Sequence, residues 1–257
     1  MPKRDELINF IEDSLGREFI ANAKRRDGYV NGPQILGAAG VKKVALGVSV
    51  SLEFLKLCRA SGANFIVVHH GIGMSDLDHF INPVLKERFR ALINGEMTLL
   101  AYHYVLDAHP QLGNNAQIMQ KLGARVGAPF YDGWGFSGEF EKAIPLDAVI
   151  KKLTKIMGAK PVVYRNGDKL IKKVAVVSGG AAPKLSKIGL FTDGAVDLYI
   201  TGETGEPVPQ LISEAGINYA ACGHYNSEKF GVIALGDIIK KEYPALDVEF
   251  IDVPCEL

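Results

Sequence analysis

"VALGVSVSLEFLKLCRASGANFIVVHH", residues 44–70, holds one complete strand–helix–strand unit, and its reading decides the fold. Val44, Leu46, Val48 and Val50 alternate with a period of two, the pattern of a strand. "SLEFLKLCRASG" follows as a helix, with Ser51 as its N-cap and Gly62 just past its end. "NFIVV" is then an apolar run of strand length. Instead of a turn residue, that run ends in His69 and His70, two of only six histidines in the chain. The unit is a βαβ crossover, and the histidines stand at the carboxyl end of its second strand.

The same alternation extends in both directions. Leu7, Ile8, Ile11 and Leu15 mark an amphipathic helix over about residues 5–15. "NPVLKERFRALING" is a helix with Asn82 as cap, Pro83 in the first position and Gly95 beyond the end. "MTLLAYHY" is a strand and "NNAQIMQKLG" a helix closed by Gly123. The stretch 124–144, rich in glycine and aromatic residues, is the least periodic and predicts a boundary. Beyond it come helix "LDAVIKKLTKIMG", strand "KVAVVSGG", strand "DLYITGE", helix "PVPQLISEAG", strand "INYAACGH", helix "SEKFGVIALGDIIKKE" and strand "DVEFIDV". Short strands separated by helices of ten or more residues predict an α/β fold, with two related α/β halves and mainly parallel or mixed sheets.

Composition narrows the function classes. The 257 residues are 47% hydrophobic and 23% charged, with 29 basic and 29 acidic side chains, so the formal net charge is zero. That balance lacks the basic footprint of a nucleic-acid binder. No apolar run approaches a membrane span, and "MPKRDELINFIEDSL" is charged and amphipathic, unlike a signal peptide. Cys58, Cys222 and Cys255 are far apart with no CxxC, which fits reduced thiols and a cytoplasmic setting.

Ligands of open α/β sheets gather beyond the carboxyl ends of the strands. There the sequence places His69 and His70, then Asp107 in "LDAHPQLGNN", Glu203 in "TGE", and His224 and Glu228 in "GHYNSE". A single histidine after a strand is usually a hydrogen-bonded structural residue. Asp107 could equally cap a turn, Glu228 complement a helix dipole, and Glu203 organise its glycine turn. Their shared placement is the argument. Three imidazoles and two carboxylates (His69, His70, Asp107, His224, Glu228) suit Zn, Mn, Fe, Co or Ni, and are more ligands than one catalytic zinc takes. With a bridging carboxylate they suit two ions, and the chemistry such a pair supports is metal-assisted hydrolysis. "SGGAAPK" matches neither GxGxxG nor the Walker loop, and HExxH and GxSxG are absent. Ser178 could mimic a nucleophile turn, but no base lies near it in sequence.

The blocks "VVHHG", "YHYVLDAHPQLGNNAQI", "VVSGG", "DLYITGE" and "GHYNSEKFGVIALGD" resemble, in order and spacing, the Nif-three-like family of dinuclear-metal proteins, the GTP cyclohydrolase I type 2 homologues. The resemblance covers nearly the whole chain, in the short form that lacks an inserted domain. It implies His69, His70, Asp107, His224 and Glu228 as metal ligands, with Glu228 as the bridge. It also implies two α/β halves and assembly into a toroidal homohexamer. We expect residues 1–125 with 235–257 to form the half that carries His69, His70 and Asp107, and residues 126–234 the half that carries His224 and Glu228.

Two positions depart from the family pattern. Gly47 in "ALGVS" stands where an acid is common, and Gly71 in "HHG" replaces proline, which predicts a mobile loop from Gly71 to Asp78. The functional expectation is a hydrolase that uses two divalent ions to attack a small molecule of nucleotide or phosphoester type. Glu228 would be catalytic, and His103 or His109 would orient ligands or shuttle protons. The alternative is a metal-binding scaffold or regulatory protein without catalysis.

Overall fold

The structure is a computed structural model and describes residues 2–73 and 81–255. The chain divides into two compact units, one running up to Leu106 and resuming over Gly231–Val253, the other spanning Asp107–Phe230. The division therefore falls at 106/107 and 230/231, not at 125/126 and 234/235, and Asp107 belongs with the second unit. The misleading signal was the glycine content of 124–144. Those glycines lie in a hairpin of the second sheet, where backbone atoms of neighbouring strands crowd the Cβ positions of Gly135 and Gly138.

In the first unit α1 (Arg4–Leu15) and α2 (Arg17–Arg26) precede β1 (Asn31–Ile35) and β2 (Lys43–Ser49). Then come α3 (Leu52–Ala60), β3 (Phe65–His70), α4 (Pro83–Asn94) and β4 (Thr98–Tyr102). The five-stranded sheet has the order β1-β4-β3-β2-β11, with β11 (Asp247–Phe250) added from the end of the chain. The β4-β3-β2-β11 pairs are parallel and β1 runs antiparallel at the edge. Ser51 caps α3 through the Phe54 N–H, and Asn82 caps α4 through the Leu85 N–H, each worth about 1 kcal/mol. Phe54, Leu55 and Cys58 of α3 bury against Ala45, Ile66 and Val68 of the sheet.

The second unit begins within α5 (Tyr104–Ala108), continues through α6 (Asn114–Leu122), and pairs β5 (Arg125–Phe130) with β6 (Gly135–Pro145). α7 (Leu146–Met157), β7 (Val162–Tyr164), β8 (Leu170–Val177), β9 (Leu198–Thr201), α8 (Val208–Glu214), β10 (Asn218–Ala221) and the start of α9 (His224–Glu242) follow, the residues of α9 from Gly231 on belonging to the first unit. The sheet order is β5-β6-β8-β9-β10-β7, parallel only across β8-β9-β10. Val149, Ile150, Leu153 and Met157 of α7 pack on one face with Ile118, Met119 and Leu122 of α6. Tyr199, Tyr219 and Phe191 fill the other. The expected α/β architecture of two halves with parallel and mixed sheets is what the chain adopts.

The two departures have packing reasons. A Cβ at residue 47 would run into the Phe54 ring, so a carboxylate there has no room. A Cβ at residue 71 would meet Gln34 Oε1 and Ala101. Gln34 also pins the start of the following loop: its Nε2 donates to the Ile72 carbonyl (2.6 Å) and its Oε1 accepts from the Ile72 N–H (3.0 Å). The rest of the loop expected to be mobile, residues 74–78, lies outside the described residues.

Candidate metal centre

Each unit brings ligand-type side chains to the carboxyl ends of its parallel strands. In the first, His69 and His70 end β3 and His103 follows β4, and one ring nitrogen of each lies within 4.8 Å of the others. His69 is fully buried. His69 Nδ1 lies 3.1 Å from the Tyr102 carbonyl oxygen, which can only accept, so the proton is on Nδ1. His70 Nδ1 is 2.9 Å from Ser49 Oγ, at the end of the neighbouring strand β2.

His103 Nδ1 donates to Asp27 Oδ2 at 2.9 Å. Asp27 also accepts from the Tyr104 N–H (3.0 Å), Asn31 Nδ2 (2.9 Å) and the Tyr29 N–H (3.0 Å). Burial alone would push its carboxyl up, but the hydrogen bond and charge of His103, with the Tyr29 and Asn31 bonds, bring it down to about 2. Asp27 is therefore a carboxylate that fixes the His103 tautomer and presents Nε2 as the ligand or proton-accepting atom. The half-exposed Tyr29 ring packs against His103 with centroids 4.6 Å apart.

In the second unit His224 opens α9 and Glu228 lies one turn further on, four residues apart and so on one face. His224 Nε2 lies 3.1 Å from Glu228 Oε2, while Nδ1 donates to Glu203 Oε1 at 2.5 Å. The Glu228 hydrogen bond, opposed by burial and helped by the charges of Glu228 and Glu203, raises the imidazole to about 9. Asp107, in α5, has a carboxylate oxygen within 4.8 Å of one from Glu228, and both side chains are buried. Its Oδ1 accepts from Ser178 Oγ (2.7 Å) and Asn114 Nδ2 (3.0 Å). Gly179, at φ +66°, follows Ser178 and leaves room that a Cβ would take from Glu228 Oε1 and His224 Nε2.

This donor set fits divalent ions. Two buried carboxylates so close repel each other unless a cation offsets their charge. The raised His224 shows that the pocket formed by Glu203 and Glu228 favours a positive charge, which a metal would supply in place of the proton. All four imidazoles are anchored through Nδ1, the arrangement by which proteins aim Nε2 at a metal.

His109 is used differently. Its Nδ1 accepts from the Gln111 and Leu112 N–H groups (3.2 and 3.0 Å), organising the turn after α5, and burial lowers its affinity for a proton. Reasoning from sequence missed Asp27, which lies 76 positions before His103 and carries no local motif. The sequence places Glu203 after a strand beside the candidate ligands but outside the ligand set, with a turn role as the other reading; the structure puts it on His224 Nδ1.

A family model described as Duf34/NIF3 (NGG1p interacting factor 3) matches residues 2–256. A "GTP cyclohydrolase 1 type 2 homolog" of Archaeoglobus fulgidus is 35% identical over 256 residues, covering 98% of each chain. One of the same name from Buchnera aphidicola is 32% identical over 248 residues, 96% of this chain and 98% of its own. The crystal structure of TTHA1606 from Thermus thermophilus superposes with a TM-score of 0.87 at 31% identity, over 99% of this chain and 100% of that one. The family expected from the motifs is the one these comparisons return.

Proposed function

The chain belongs to the Duf34/NIF3 family, and from that premise we propose that it is a divalent-metal-dependent hydrolase whose ions are held by His69, His70, Asp107, His224 and Glu228. The observation that carries the reading is the anchoring of His69, His70, His103 and His224 through Nδ1, joined to the close buried pair Asp107 and Glu228. Two ions bound there would lower the pKa of a water molecule and neutralise negative charge developing on the attacked group.

The protein's own groups have separable tasks. Glu228 supplies a carboxylate that can serve both ions. Asp27 holds His103 with Nε2 as the proton-handling atom, within ligand distance of His69 and His70. Glu203 holds the plane of His224. His109, with Nδ1 already accepting two amides, offers only Nε2 for a proton shuttle. The substrate we propose is a small molecule with an electrophilic carbon or phosphorus, a nucleotide or phosphoester. For GTP, attack would fall on the five-membered ring of the purine. The proposal extends to a homo-oligomer, a toroidal hexamer, and to the cytoplasm, in keeping with three free cysteines. No helix among the described residues is long and apolar enough to cross a membrane.

The test is to load metal-free protein with Mn, Zn or Fe and follow GTP and a panel of phosphoesters by chromatography. Turnover lost in Glu228→Gln, with metal content retained, supports the hydrolase. No turnover with any metal, together with loss of the assembly on chelation, indicates a metal-held scaffold instead.

A further inference from the structure

Ser178 was the one nucleophile-like residue the sequence singled out, and in the site described above it is so far only a donor to Asp107. It follows β8 at the start of "SGG", is buried, and makes two contacts that lead to the same place. Its hydroxyl donates to Asp107 Oδ1 at 2.7 Å. Its N–H donates to Asn115 Oδ1 at 2.7 Å, while Asn115 Nδ2 donates to the Asp107 carbonyl at 3.1 Å. Asn114 Nδ2 adds a second bond to Asp107 Oδ1 at 3.0 Å. One oxygen of the carboxylate therefore carries two donors, and the backbone of the same residue is clasped through Asn115.

We infer that Ser178 is a positioning residue that makes Asp107 a one-oxygen metal ligand, an assignment that rests on the metal reading above. With two hydrogen bonds on the two lone-pair directions of Oδ1, Oδ2 would be the oxygen that Asp107 offers an ion. A hydroxyl proton pointed at a carboxylate also explains why Ser178 is no nucleophile: its acceptor is a weak base already shared with Asn114. The next residue organises the other ligands of this unit. The Gly179 N–H donates to Ser227 Oγ (2.9 Å), whose hydroxyl donates to the His224 carbonyl (2.9 Å). Gly179 also makes room for Glu228. Ser178 and Gly179 thus tie Asp107 to the α9 ligands through one rigid strand end.

The experiment measures the affinity of the metal-free full chain for zinc and for manganese by chelator competition, with far-UV circular dichroism as a check on folding. Ser178→Ala should weaken one ion by about 10- to 100-fold, the usual effect of removing a hydrogen bond behind a metal ligand. Ser178→Thr, which keeps the hydroxyl, should restore affinity to within about twofold of wild type. In an Asp107→Ala background, Ser178→Ala should add nothing, because the ligand it positions is gone. Asn114→Ala, expected to weaken the same ion, serves if Ser178→Ala does not fold. Wild-type affinity in Ser178→Ala, or an equal loss with and without Asp107, overturns the assignment. Failure of the wild type to hold any ion overturns the metal reading and this assignment with it.

Discussion

The two units each set a histidine on a carboxylate, and they do so in opposite environments. Asp27, behind His103, is almost wholly buried (2% side-chain exposure) and accepts bonds from four groups. Glu203, behind His224, is 43% exposed and lies on a glycine turn. The first arrangement is structural as well as chemical: removing Asp27 strips a ring, two backbone amides and Asn31 of their acceptor. The second is a solvent-facing brace that adjusts a ligand without supporting the fold. The neighbouring side chains that could hold a metal differ too, the imidazoles of His69 and His70 in the first unit against the carboxylates of Asp107 and Glu228 and the imidazole of His224 in the second. Nitrogen-rich and oxygen-rich sets favour different ions, so the two halves need not have equal affinity for any one metal.

Several substitutions can break this contrast, beginning with the largest effect. Asp27→Ala should cost about 3 kcal/mol of folding stability in urea titrations, as expected for leaving several buried donors without their acceptor. Glu203→Ala should cost less than about 1 kcal/mol, because the group is solvated. Equal losses would remove the distinction.

Acid sharpens the comparison. Asp27 sits at about 2 in the folded chain against an ordinary 3.8. A depressed carboxylate stabilises above its unfolded pKa and loses that contribution as pH falls through the folded value. The gap between wild type and Asp27→Ala should therefore be full above about pH 4 and shrink by about 2 kcal/mol towards pH 2. His224 runs the other way. Its pKa is raised from 6.5 to about 9, so in the metal-free protein its contribution is complete below pH 6.5 and fades as pH rises through 9.

The same shift predicts proton release. Metal uptake at pH 7.5 should expel about one proton per chain from His224 in weakly buffered titrations, and markedly less at pH 10. Release that is unchanged in His224→Gln would contradict the assignment. Packing gives a further contrast: Gly47→Ala should destabilise by about 1–3 kcal/mol by pressing on Phe54. Gly40→Ala, where a Cβ meets nothing within 4 Å, should be close to neutral in the same melts.

Much of the fold was legible because apolar periodicity and caps coincide. Ser51 and Asn82 cap the helices they were expected to cap, and the β3 run ends at His70. What escaped reading was structure whose local pattern argues against it. β1, "NGPQI", contains Gly and Pro and survives as an edge strand paired on one side. The β5–β6 hairpin looks like a linker because close strand approach requires its glycines. The candidate ligands were visible as polar residues after strands. Asp27 was not, nor was the bond from Ser178 to Asp107, since a hydrogen bond across tens of residues leaves no mark on local spacing.

The most direct test of the central claim is the divalent metal content of the full chain, measured by elemental analysis after metal loading and removal of excess. The account predicts about two ions per chain for the wild type, and fewer for both His69→Ala and Glu228→Ala. A wild type that retains no ion, or variants that retain as much as the wild type, would contradict it.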